Sequence, residues 1–198
     1  IVSGLGWTDD LLGNRAIQGL RGHLAAWFQQ GVVTTGLLKA VGTILAACWL
    51  SVQAGLWDKW VWAGFMACLL MPLSTNAMNL LDLRPGRAIK IFLTGGLIVL
   101  AGCVSHKLDV ATILLIPALV SVLVLLPSDL SGESMLGDTG ANILGFVLGA
   151  ALALTWTWQY QIAALLIVAG IHLLAETTSI TQFIERVPML RWLDRLGR

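Results

Sequence analysis

The stretch Trp60–Leu81, WVWAGFMACLLMPLSTNAMNLL, decides how the whole chain is read. It carries no Asp, Glu, Lys or Arg, and its length matches the roughly 20 apolar residues a helix needs to cross about 30 Å of hydrocarbon. Lipid offers a bare backbone no hydrogen bonds, so such a segment crosses as a helix. Its end is unusual for a span. Asn76, Asn79 and, just beyond, Asp82 recur at helical spacing and share one face. Lipid penalises such a face, so it is expected to line a cavity.

Five further apolar stretches flank this one: Leu38–Leu56, Ala88–Ser105, Val110–Leu126, Ala141–Trp158 and Tyr160–Ala175. None contains Asp, Glu or Arg, and Lys39 and Lys90 stand only at ends, where a long side chain snorkels to water. Ile1–Trp7 is apolar but too short to span, and the chain lacks an initiator Met. It reads as the end of a preceding span, with residues 1–198 the C-terminal portion of a longer protein. The expected fold is all-α: one integral membrane domain of about six full spans plus that partial one. Composition agrees. Of 198 residues, 57% are hydrophobic and 12% charged, and mean hydropathy is +0.83, which excludes an ordinary soluble domain. A net charge of +1 offers no polycationic surface for nucleic acid. Cys48, Cys68 and Cys103 all lie inside apolar runs and read as small packing groups, not as a disulfide scaffold.

The connecting segments alternate between two sides. One side holds approximately 9–37, 82–87, 127–140 and 176–198; the other holds only 56–59, 106–109 and Gln159. Of the 12 Lys and Arg, only Lys59 and Lys107 fall on the second side. The positive-inside rule makes the first side cytoplasmic in a multi-pass plasma-membrane protein. Trp57, Trp60, Trp62, Trp156, Trp158 and Tyr160 gather at the opposite ends as an aromatic belt. Two cytoplasmic stretches read as interfacial helices. In Ile17–Gln30, apolar residues recur at helical spacing beside Arg21 and His23. The second opens on Ser179-x-x-Gln182, a capping-box signature, and is punctuated by Arg186, Arg191, Arg195 and Arg198.

This topology brings most remaining polar information to one face. Asp9-Asp10 ends the partial span, the Asn76/Asn79/Asp82 row ends another, and Gly137-Asp138-Thr139-Gly140 opens a third, with Asn142 just inside. Converging carboxylates repel unless a cation or protons compensate, and oxygen ligands of this kind suit Mg2+. Thr139 can cap the helix that follows, whose free N–H groups form a ready anion site. Gly145-x-x-x-Gly149 reads as a helix-packing device. His172 stands near the cytoplasmic end of the last span; His23 and His106 read as surface residues.

These blocks, in this order, resemble the polyprenyl-phosphate N-acetylhexosamine-1-phosphate transferase family, which includes MraY- and WecA-like enzymes. GWTDDLLG (Gly6–Gly13) resembles its Asp-Asp block, TNAMNLLD (Thr75–Asp82) its Asn-x-x-Asn-Leu-x-Asp block, and MLGDTGANILG (Met135–Gly145) its Gly-Asp-x-Gly block. The resemblance implies transfer of a sugar-1-phosphate from a UDP-sugar to polyprenyl phosphate, with release of UMP, in cell-envelope glycan synthesis. It implies Asp9, Asp10 and Asp138 as catalytic and Mg2+-binding residues. Asn76, Asn79, Asp82, Arg84, Arg87, Asn142 and His172 are the expected substrate-binding residues. The expected partners are the UDP-sugar, the lipid acceptor, the membrane and a second copy in a homodimer. The chain departs from the family at three places. Pro85 replaces a second acid, Met135 stands where an aromatic residue stacks on uracil, and only His172 and the run Glu176–Arg186 could stand in for a late His-rich motif. The alternative is a lapsed relative that binds polyprenyl phosphate or scaffolds envelope enzymes. A transporter half fits less well, because transporters place their polar sites near the midplane.

Overall fold

The structure, a computed structural model, describes residues 1–12, 26–29, 31–103 and 110–197. Most of the Ile17–Gln30 stretch lies outside these residues, as do His23, His106, Lys107, Arg198 and the two arginines Arg15 and Arg21. The helices are α1 (Val2–Leu12), α2 (Thr35–Gln53), α3 (Leu56–Lys59), α4 (Val61–Leu81), α5 (Arg87–Cys103), α6 (Val110–Leu130), α7 (Gly137–Thr155), α8 (Trp158–Thr177), α9 (Ile180–Arg186) and α10 (Pro188–Arg195). No strand occurs among the described residues. The protein is an all-α helical bundle, and α2, α4, α6, α7 and α8 are long and apolar enough to cross a membrane. Helix α5 has 17 residues, at the lower end of spanning length.

Several helix ends fall away from the apolar boundaries, each for a local reason. Helix α2 starts at Thr35, ahead of Leu38, because the Thr34 hydroxyl accepts the Leu37 N–H at 3.3 Å. It stops at Gln53 because Gly55, at φ +64°, turns the chain into the short α3. Helix α7 begins at Gly137, so the Gly-Asp-Thr-Gly block is its first turn and not the preceding loop. Thr139 is therefore not the cap expected of it; it lies inside the helix. Ser179 does occupy the N-cap of α9, but its hydroxyl makes no capping bond.

The centre of the bundle is the contact of α4 with α7. A Cβ on Gly145 would collide with the Ser74 carbonyl oxygen, and one on Gly149 would sit 2.9 Å from the Leu70 carbonyl oxygen and the Met71 Cα. Backbone therefore packs on backbone, as the small-residue spacing predicts. Gly6 does the same for α1, where a Cβ would lie 2.6 Å from the Thr139 Cα. Around this axis Phe92, Ile89, Leu115, Val122 and Leu144 form one buried cluster, and Leu70, Met71, Ala47 and Ala150 another. Cys48 and Cys68 are half-buried between α2 and α4, with sulfurs 3.3 Å apart. Helix α8 is peripheral: only 6% of its apolar window is buried, against 50% for α4. Its outer residues, such as Leu166 and Ile167, face outward, which suits lipid.

Candidate functional site

Helix alternation brings the C-termini of α1, α4, α6 and α8 to the same end as the N-termini of α2, α5 and α7. Cross-element contacts fix that end in detail. Lys39, on the second turn of α2, places its Nζ 2.8 Å from Asp9 Oδ2 and 2.6 Å from Asp138 Oδ2. The positive charge that three converging carboxylates need is thus partly built into the chain. The sequence alone makes Lys39 a snorkelling residue. Its place near a span end is the only signal, and that does not say which way the side chain points.

Asp10 takes the other half of the convergence. Its Oδ1 accepts the Asp138 N–H at 2.9 Å, and its Oδ2 accepts the Thr139 N–H at 3.0 Å and the Thr139 hydroxyl at 2.6 Å. The anion site expected at the start of α7 exists, and a carboxylate of this chain sits in it. Negative charge at a helix N-terminus is stabilised by the unpaired N–H groups and the helix dipole. Gly137, at φ +62°, makes the sharp entry that lets Asp10 approach.

Asp82 is the C-cap of α4: its N–H still donates to the Met78 carbonyl, and its ψ of +47° ends the helix. Its carboxyl is pushed up to about 6, first by burial and then by the charge of Asp129; Asp138 and Asp10 add repulsion, and the Gly137 N–H pulls the other way. Asp82 therefore belongs to the same electrostatic cluster as Asp10 and Asp138. Its Oδ1 is buried without a partner. Asp129, unremarked in the sequence, is 3% exposed; its Oδ2 accepts the Gly86 N–H at 2.5 Å and its Oδ1 is unpartnered. A Ser-Asp-Leu-Ser-Gly turn reads as an ordinary loop, so nothing local announces this buried acid.

The remaining expected site residues divide into two pairs and two single residues. Asn76 and His172 meet: the Asn76 amide nitrogen is 3.0 Å from His172 Nε2, and His172 Nδ1 is 2.8 Å from the Val168 carbonyl oxygen. A carbonyl can only accept, so Nδ1 carries the proton and Nε2 accepts from Asn76. Arg84 and Arg87 are tied to the chain's own C-terminal helices, Arg84 to Glu185 at 2.9 Å and Arg87 to Asp194 at 2.7 Å in a buried pair. Asn142, fully buried on α7, has neither side-chain polar atom paired. Asn79 is half-buried beside Asp82. A cavity of about 280 Å³ lies between α4, α5, α7 and α8, but α4 lines it with Ser74, Ala77, Met78 and Leu81. This cavity is apolar, and it lies on a different face of α4 from Asn76 and Asn79. Among the described residues, no group of three or more His, Cys, Asp or Glu is arranged to hold a metal ion. Comparison with known proteins found no matching family model, no matching curated protein and no matching solved structure.

Proposed function

We propose that the chain is a membrane phosphoglycosyl transferase, moving a sugar-1-phosphate from a UDP-sugar to polyprenyl phosphate in cell-envelope glycan synthesis. The observation that supports it is the convergence of Asp9-Asp10, Asp82 and Asp138, from three separate sequence blocks, around the first turn of α7. The concentration of Lys and Arg at that end assigns it to the cytoplasmic side of the plasma membrane. The sugar is an N-acetylhexosamine on the strength of the family resemblance.

In the proposed reaction, an oxygen of the lipid phosphate bonds to the β-phosphorus of the UDP-sugar. The bond from that phosphorus to the bridging oxygen breaks, and UMP leaves with the electron pair. The chain's task is positioning and charge compensation, as in phosphoryl transfer generally. Lys39 supplies a fixed positive charge, and the Asp138 and Thr139 N–H groups are donors that a phosphate oxygen can take over from Asp10. Asn79 and Asp82 hold the nucleotide end. The donors that the resemblance assigns to Mg2+ are all oxygen, which suits that ion, but Lys39 bridges Asp9 and Asp138 and Asp10 faces the first turn of α7, so the ion would take the place of these contacts. Asp9, Asp10 and Asp138 would hold the ion, which when bound neutralises and orients the diphosphate.

Full-length protein in detergent, given polyprenyl phosphate, Mg2+ and a panel of UDP-sugars, is expected to release UMP with one sugar. Chelator and Asp138→Asn should each abolish that release. Turnover that survives Asp138→Asn sinks the metal assignment. Folded protein that releases no UMP with any sugar favours the lapsed, lipid-binding relative.

A further inference from the structure

Helix α10 is turned inside out for a helix packed on a bundle. The residues half-buried against the rest of the protein are Leu190 and Asp194, while Met189, Trp192, Leu193 and Leu196 are 72%, 62%, 39% and 51% exposed. Their spacing puts these four on a single stripe. The orientation is held from behind. Arg87 reaches Asp194 at 2.7 Å and the Thr181 hydroxyl at 3.2 Å, and Lys90 Nζ donates to the carbonyls of Leu193, Asp194 and Leu196 at 3.0, 2.6 and 3.2 Å. Rolling the stripe inward would break a buried ion pair, so an apolar face is kept outward at a cost that water alone does not justify.

The charges on this element are also sorted. Its acids, Glu185 and Asp194, are paired with Arg84 and Arg87. The exposed Arg186, Arg191 and Arg195 remain, so the net outward charge of the element is positive. The element starts at Ile180, directly after the apolar α8 ends at Thr177, and so emerges at the level of the membrane surface.

We propose that α9–α10 docks on an anionic phospholipid leaflet, with Met189, Trp192, Leu193 and Leu196 among the acyl chains and Arg186, Arg191 and Arg195 on the headgroups. Apolar insertion beside basic residues is the pattern of interfacial helices, and each basic residue near an anionic surface strengthens it. The inference rests on the membrane-spanning bundle and is independent of the transferase reading.

The test uses the full chain with its native cysteines replaced, Met189→Cys carrying a nitroxide, in nanodiscs of phosphatidylcholine with or without phosphatidylglycerol. With phosphatidylglycerol the label should be accessible to oxygen and shielded from a water-soluble nickel chelate. Arg191→Gln with Arg195→Gln should abolish the difference between the two lipid compositions. A label open to the chelate in phosphatidylglycerol discs overturns the proposal. So does one shielded from both reagents, which marks a protein partner; spin–spin broadening would identify that partner as a second copy. Should the cysteine-replaced chain fail to fold, brominated phosphatidylglycerol provides the same reading on the native chain. Trp192→Phe must then remove a quenched part of the emission, and an unchanged quenched fraction overturns the proposal.

Discussion

Lys39 is the residue on which the charge balance of the site turns. Removing its ammonium leaves Asp9 and Asp138 facing each other across a partly buried gap. Lys39→Met should lower stability by about 1.5–3 kcal/mol, the range for hydrogen bonds to charged groups. If the same carboxylates also take Mg2+, the variant should regain more thermal stability from added Mg2+ than the wild type does, measured by unfolding in detergent. Asp82 makes a separate prediction in pH. Its carboxyl is raised from 3.8 to about 6, so in that window the folded chain keeps a proton that the unfolded chain releases. Stability must then fall as pH climbs from about 4 to about 6 and stay level above, because the unfolded state binds fewer protons there. Asp82→Asn should flatten that slope in unfolding titrations. In turnover, Asp82→Ala should raise the requirement for the UDP-sugar more than that for the lipid acceptor, and equal effects would count against the nucleotide role.

Among the elements, the α4–α7 contact is the least forgiving. Gly145→Leu inserts a side chain where the Ser74 carbonyl already stands, so overpacking should cost about 1–3 kcal/mol or more. Gly170, on the peripheral α8, has open space where a methyl group would stand, with no atom within 4 Å, and Gly170→Ala should be neutral or slightly stabilising. Thermal unfolding of the two variants side by side checks both. The Gly145-x-x-x-Gly149 spacing was legible because small residues four apart have one common use between spans. The start of α7 was not, because Thr139 satisfies the rule for a cap while the actual partner, Asp10, lies 128 residues away in sequence. Likewise Asn76, Asn79 and Asp82 obey helical spacing, and Asp82 as the C-cap still donates its N–H to Met78, but the spacing does not reveal that Asp129, Asp138 and Asp10 act on its carboxyl. Local pattern fixes which residues share a face; it does not say what distant chain will be opposite them.

At the scale of the molecule, hydropathy and length were enough to locate the five helices that are long and apolar enough to cross a membrane, because a backbone in lipid has few options. The sidedness we propose from the distribution of charge is open to direct test. In inside-out and right-side-out vesicles, an impermeant thiol reagent should reach Ser131→Cys only from the cytoplasmic face. Asp58→Cys should be reached only from the opposite face. Reversed labelling would refute the assignment.

The pairing of Asp10 with the first turn of α7 also carries a consequence for how the protein is made. Helix α1 leaves the ribosome before α2 to α6, and the N–H groups that Asp10 satisfies are synthesised only after them. Asp9 and Asp10 must therefore wait for α7, and only then can Gly6 close on Thr139. The carboxylate cluster cannot close before α7 is made, so a nascent chain halted before α7 carries every earlier helix described here and none of the finished cluster.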